Sequence, residues 1–319
     1  MKASVLAGPS QSKVMDIPTP EIGSEEVLVR VQLCGVCASE LPAWVNGQGG
    51  GQRVFGHEAV GVVASVGENV VGFAPGDRVT GLIFQAFAEY AKADYRNLAK
   101  VPAGLADMEA LGEPLSCLVS GANRIDVALG DRVAVIGPGF MGLGFMQLMK
   151  LKGAGQITAV AIRDASLRHA ARFGANVTLH PDEVTDDDKV VNWADISLNR
   201  GIPIVAECSG TQSGLDLASE MTSAHGIMSI VGFHQGNNGN RNVNMEQWNF
   251  KAITVVNAHE RRRPLQMEAM KNGLSLIEQG LFNMKDMITH KYALDEVDHA
   301  FTAMMDKPED FIKAVITIS

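Results

Sequence analysis

Two cysteines stand close together in the stretch LCGVCASE, at Cys34 and Cys37. A C-x-x-C spacing marks a redox dithiol, half of a structural zinc site, or two cysteines with separate fates. Downstream come the adjacent His57 and Glu58 in FGHEAVGVV, then Glu113 and Cys117 in LGEPLSC. A catalytic zinc ion takes about three protein ligands drawn from Cys, His and carboxylate, and keeps one position open. Cys37, His57 and Glu113 supply one donor of each type, and Glu58 stands beside them. Each also has a plainer explanation. A free cysteine is commonly a small buried hydrophobe, a single histidine is commonly a satisfied core or surface group, and Glu113 before Pro114 can simply open a helix. Spacing alone leaves these alternatives open.

A second constellation is VAVIGPGFMG, which holds G-x-G-x-x-G at Gly137, Gly139 and Gly142, with Phe140 and Met141 inside it. It follows a β-branched run and opens an apolar helical pattern, the context that a dinucleotide-binding fingerprint requires. The first glycine permits the tight turn, the second lets backbone approach a pyrophosphate, and the third lets helix and strand pack closely. The helix N-terminus then turns its N–H groups to the phosphates. An NAD site places an acid about 20 residues on, at the end of the second strand, for the ribose hydroxyls. Here that strand, ITAVAI, ends in Ala161 and Ile162, and Arg163 and Asp164 follow. No strand-end carboxylate repels a 2′-phosphate, and Arg163 offers a cation with forked donors. NADP(H) is therefore expected over NAD(H). The competing reading makes Arg163 a solvated loop charge and gives the ribose to Asp164.

These groups need elements to hold them. The first hundred residues read as short β-branched strands broken by glycine, which predicts a barrel-like β domain. After about Leu118 the pattern becomes strand then helix, three times over, the first joined by a glycine turn, which predicts βαβ units and a parallel sheet. The tail reads as two helices and a closing strand that returns to the first domain. The expected boundaries are 1–117 with 260–319, and 118–259. A chain of 319 residues suits two domains. Its formal charge of −9 argues against a nucleic-acid or anionic-lipid surface. Four cysteines are no disulfide framework in a chain this long, and the first residues show no apolar core of signal-peptide length. A reducing, cytoplasmic setting is expected.

The ordered set VQLCGVCASE, GHEAVGVVASVGENV, PGDRV, FAEYAKAD, GEPLSC, GDRVAVIGPGFMG and ITHKYALDEVDHAF resembles the zinc-dependent alcohol and polyol dehydrogenases of the medium-chain dehydrogenase/reductase family. The likeness spans essentially the whole chain. It implies a GroES-like β-barrel catalytic domain and a Rossmann doubly wound domain. It also implies that Cys37, His57 and Glu113 bind a single catalytic zinc, and that Glu58 can bind or release the metal during turnover. By the same likeness Ser39 takes the substrate's hydroxyl proton. AIRDASLRHAARFGA resembles the matching segment of NADP-dependent bacterial secondary alcohol dehydrogenases, and Arg163 falls on their phosphate-binding arginine. Relatives of this kind are homodimers or homotetramers.

The chain departs from the family in places. The glycine after the first zinc cysteine is Ala38, and the family's Asp is Glu40. A histidine relay position is Pro42. The lobe with four clustered cysteines and a structural zinc is absent, so this is a short form with one zinc expected per chain. On this reading Cys34 and Cys37 are no pair: Cys37 faces the metal, Cys34 is buried in its strand, and Cys117 is the reserve third ligand. The expected reaction is hydride transfer between NADP(H) and a secondary alcohol or ketone, with Glu-Pro-Leu favouring a polyol or sugar-derived alcohol. Ser39, Glu40, Asn46 and Gln48 are candidates to make its pocket polar, and Trp44 either walls that pocket or packs behind it. His234 reads as a loop residue rather than a catalyst. Two alternatives stand beside this one: a zinc-free NADPH-dependent quinone or enoyl reductase of the same superfamily, and an NADPH-binding protein with structural or regulatory work.

Overall fold

Alternating valines build the strand that delivers the cysteines. In the computed structural model, which describes residues 1–49, 51 and 53–318, a hairpin of β1 (Lys2–Gly8) and β2 (Gln11–Asp16) comes first. Strand β3 (Glu26–Gly35) follows, with Val27, Val29, Val31 and Leu33 inward and Arg30 outward, the period of a half-buried strand. After β3 the chain makes a 3-10 turn at Ala38–Glu40 and a short helix, α1 (Leu41–Val45). Strands β4 (Glu58–Val66), β5 (Arg78–Gly81), β6 (Tyr90–Asp94) and β7 (Leu98–Lys100) come next, then helix α2 (Gly112–Ala122).

A second unit, Leu118–Glu260, alternates strand and helix. Its elements are β8 (Arg132–Ile136), α3 (Phe140–Lys152), β9 (Gln156–Val160), α4 (Asp164–Arg172), β10 (Val177–Leu179), α5 (Trp193–Ser197), β11 (Ile202–Glu207), α6 (Gln212–Met221), β12 (Thr222–Ile230), α7 (Met245–Lys251) and β13 (Thr254–Asn257). The sheet order is β10-β9-β8-β11-β12-β13, and every pairing is parallel. This is the doubly wound order of the Rossmann fold, with its switch point between β8 and β11. The core strands are near-continuous apolar runs because both faces are covered: four of the five residues of β8 are buried, and four of five in β9. The sequence reading does not contain α7 and β13, whose segment VNMEQWNFKAITVVN is too polar and short to announce them.

The chain then returns to the first unit, Met1–Cys117 with Arg261–Ser319, through α8 (Arg263–Glu278), β14 (His290–Ala293), α9 (Val297–Asp306) and β15 (Ala314–Thr317). Strand β15 pairs antiparallel with β3, so the sheet runs β14-β15-β3-β4-β5-β7, with β6 also on β3. Aromatic rings fill this unit. Phe301 of α9 stacks on Trp44 at 5.1 Å and meets Phe55 at 5.6 Å and Phe87 at 6.1 Å. The Trp44 indole N–H donates to Asp298 at 2.7 Å, which satisfies the one polar atom that burial would otherwise orphan.

Candidate metal centre and nucleotide site

The end of β3 and the start of β4 lie side by side, with Gly35 opposite Glu58. That register brings Cys37, just past β3, next to His57 and Glu58. One ligand atom from each of the three lies within 4.8 Å of the others. The 3-10 turn after Cys37 buries Glu40 to 8% exposure behind His57. Glu40 Oε1 accepts from the Gly56 main-chain N–H at 2.8 Å and lies 3.1 Å from His57 Nδ1. With Nδ1 committed, Nε2 is the nitrogen left for a metal, the arrangement by which an outer carboxylate fixes a ligating imidazole. The Ser39 hydroxyl donates to Cys37 Sγ at 3.2 Å and is exposed. Cys37 and His57 are half-buried, so the cluster opens to solvent on one side.

Glu58 is 1% exposed, and the ammonium of Lys313, itself 5% exposed, bonds its Oε1 at 2.8 Å and lies 2.6 Å from Oε2. Burial works against the charge on Lys313, and the negative groups of Glu58 and Cys37 more than restore it. Glu113, in the first turn of α2, is within the field of the same groups. Burial first, then the charge of Glu58, holds its carboxyl above the usual range, while His57, Lys313 and Cys117 act the other way. The Cys117 thiol donates to Glu113 Oε1 at 3.6 Å, and burial together with Glu113 pushes that thiol up. The donor set fits a zinc ion. Three buried or half-buried carboxyl groups and two thiols face one ammonium and one imidazole, and Glu40 Oε2 is buried without a hydrogen-bond partner. A divalent cation would balance that excess of negative charge.

In the second unit the glycine loop joins β8 to α3. Gly137 has φ +83°, the left-handed region, and a Cβ there would sit 2.8 Å from Ser209. Nothing lies within 4 Å of the space a Gly139 Cβ would fill, and no side chain caps α3 at this residue. Open space over an uncapped helix N-terminus fits a phosphate group. The Phe140 ring is buried, so its part at this loop falls to its main chain, and Met141 is half-buried. Arg163 is the N-cap residue of α4, just beyond β9. His234 is tied on both nitrogens: Nε2 lies 2.8 Å from Glu207 Oε2, and Arg241 Nε donates to Nδ1 at 2.8 Å. That leaves it no nitrogen for acid–base chemistry.

Residues 23–103 match the family model described as alcohol dehydrogenase GroES-like domain, and residues 141–279 match zinc-binding dehydrogenase. Sorbitol dehydrogenase of Halalkalibacterium halodurans is 29% identical across 99% of both chains, and that of Bacillus subtilis is 26% identical across 99% of this chain and 97% of its own. The chain belongs to the zinc-type alcohol and polyol dehydrogenases. A solved Escherichia coli oxidoreductase/dehydrogenase of unknown specificity is 25% identical, with a TM-score of 0.84 over 100% of this chain and 99% of that one.

Within this zinc-type dehydrogenase the remaining candidates of the sequence take their places around the cluster. Glu40 stands behind His57, a position set by the 3-10 turn and the Gly56 N–H. Asn46 spends its side-chain amide on the Pro42 carbonyl at 2.8 Å. Trp44, 2% exposed, packs in the core. Cys34 is fully buried, with its Sγ on the Gly35 carbonyl. Lys313 is the group that sequence reasoning missed. Its signal was weak: a single lysine in the apolar run FIKAVITIS.

Proposed function

We propose that this chain transfers a hydride between NADP(H) and a secondary alcohol or its ketone, using one zinc ion, with a polyol or sugar-derived alcohol as substrate class. The observation that carries the reading is the approach of Cys37, His57 and Glu58 within 4.8 Å, with Glu40 anchoring the imidazole. The relatives named sorbitol dehydrogenase support the substrate class. Arg163, and the absence of an acid at Ala161 and Ile162, support the phosphorylated cofactor.

Cys37 and His57 would hold the metal, with Glu113, which lies outside the 4.8 Å trio, as the expected third ligand. Glu58 already has the Lys313 ammonium on its carboxylate, which suits it to exchange on and off rather than to reside. Bound zinc would supply Lewis-acid polarisation of the substrate oxygen, and the nicotinamide the hydride acceptor. Ser39 takes the hydroxyl proton. It is exposed, and Pro42 offers no relay group, so Ser39 passes its proton straight to water. Gly137, Gly139 and Gly142 with the main chain at Phe140 and Met141 would hold the pyrophosphate, and Arg163 would hold the 2′-phosphate. The protein works as a homodimer or homotetramer in the cytoplasm. In support, among the described residues β13 has one sheet neighbour, β12, and exposes Thr254 and Val255, an edge of the kind that pairs with another chain. Among the described residues no helix is long and apolar enough to cross a membrane.

The test is zinc content with NADP⁺ and NAD⁺ titrations on wild type and Cys37→Ala. About one zinc per chain, lost in the variant, and tighter NADP⁺ than NAD⁺ binding are expected. Zinc-free wild type that still binds NADPH would overturn the metal mechanism.

A further inference from the structure

The ribose end of the nucleotide site holds a histidine–carboxylate contact that the reaction does not explain. Strands β9 and β10 are parallel neighbours with Val160 opposite Leu179, and the Ala161 N–H donates to the Leu179 carbonyl at 3.1 Å. Ala161 stands where a dinucleotide fold keeps its ribose acid, so His180, the residue after β10, lies one strand away from that position. His180 Nε2 is 2.8 Å from Asp164 Oδ1, and Asp164 is the first residue of α4, directly after Arg163. The His180 main-chain N–H donates to Glu183 Oε2 at 2.7 Å, which anchors the histidine in the turn and occupies the other nearby carboxylate.

We propose that His180 is a positioning residue for cofactor choice: by holding the Asp164 carboxylate, it lets the site accept a 2′-phosphate beside Arg163. This rests on the NADP(H) reading above. The physical difference is simple. A loose carboxylate next to Arg163 repels a phosphate dianion and competes for the guanidinium, while a ribose 2′-hydroxyl is indifferent to it or bonds to it. An N–H placed on that carboxylate draws off its charge and fixes its direction. Removal of His180 should therefore weaken phosphate recognition and leave hydroxyl recognition alone.

The experiment needs neither zinc nor turnover. 2′,5′-ADP and 5′-AMP are titrated calorimetrically into wild type, His180→Gln, Asp164→Asn and the double variant. Wild type is expected to prefer 2′,5′-ADP. His180→Gln is expected to lose roughly two- to fivefold in 2′,5′-ADP affinity, the scale of one exposed charge contact, with 5′-AMP unchanged. In the Asp164→Asn background the same histidine change should have no effect, because no carboxylate remains to be held. Equal loss for both nucleotides would mean a merely structural histidine and would overturn the proposal. So would a loss of the same size with and without Asp164, which would mean that His180 touches the phosphate itself. Wild type that prefers 5′-AMP would instead sink the NADP(H) reading, whatever the histidine does.

Discussion

Burial takes water from His57 and so opposes a charge there. Hydrogen bonds to Cys37 and Glu40, and the negative charge of both, outweigh it and push the imidazole up to about 12. In metal-free protein the ring therefore keeps a proton, and for this group the folded state is favoured below the ordinary histidine range and loses that advantage as pH climbs towards 12. A ligating imidazole has to be neutral at its metal-facing nitrogen. Zinc loading is thus expected to release at least this proton, and apparent zinc affinity to rise with pH across the neutral range. Calorimetry in two buffers of different ionisation enthalpy reads the proton count; a count of zero would contradict the site. Glu40 acts at the same scale. Glu40→Ala removes the anchor of Nδ1 and should weaken zinc about 10- to 100-fold, measured by competition with a chromogenic chelator.

Among elements, the neighbouring strands β15, β3 and β4 assemble the buried pair. The Val36 N–H donates to the Ala314 carbonyl, which seats Lys313 at the start of β15 across from the end of β3. Gly35 faces Glu58, and a side chain there would collide with its carboxylate. The pair therefore depends on strand register more than on any turn. Lys313→Met leaves Glu58 charged in a dry place and should cost about 3–5 kcal/mol. The double variant Lys313→Met with Glu58→Gln removes the stranded charge and should recover most of that loss. Thermal unfolding of the three proteins decides it, and a double variant no better than the single would rule out the charge argument.

For the whole molecule, pH dependence of stability should carry the mark of Lys251. Its side chain is fully buried, and its ammonium donates to the Ser219 carbonyl near the end of α6. Burial brings the group down to about 8, against an opposing pull from Glu220. Below that value the ammonium is charged in folded and unfolded chains alike. Between about 8 and the ordinary lysine range the unfolded chain holds a proton that the folded chain has lost, so stability rises with pH in this window. From about pH 7.5 to about pH 9.5 the gain from this group is about 2 kcal/mol. Lys251→Met should lack it. Trp248, whose indole N–H donates to Ser219 Oγ at 2.9 Å, gives a local fluorescence signal for urea unfolding at the two pH values.

The sequence by itself determined the glycine loop, the succession of strand and helix in the second unit, and the strand pattern of the first. These are local matters: a period of two, a period of 3.6, or a glycine where backbone must turn leaves its mark within a few residues. It also presented Cys37, His57, Glu58 and Glu113 as a set, though only family resemblance raised that set above coincidence. Tertiary structure alone decided which groups stand behind them. Glu40 reads along the chain as a polar neighbour of Ser39, and only the approach of Gly56 and His57 turns it into an anchor. Lys313 lies 255 positions from Glu58, and nothing local to either announces the other. His180 and Asp164 meet only because β10 lies beside β9. Pairings of this kind depend on which strands become neighbours across long connections, and strand order leaves no mark within a few residues of either partner.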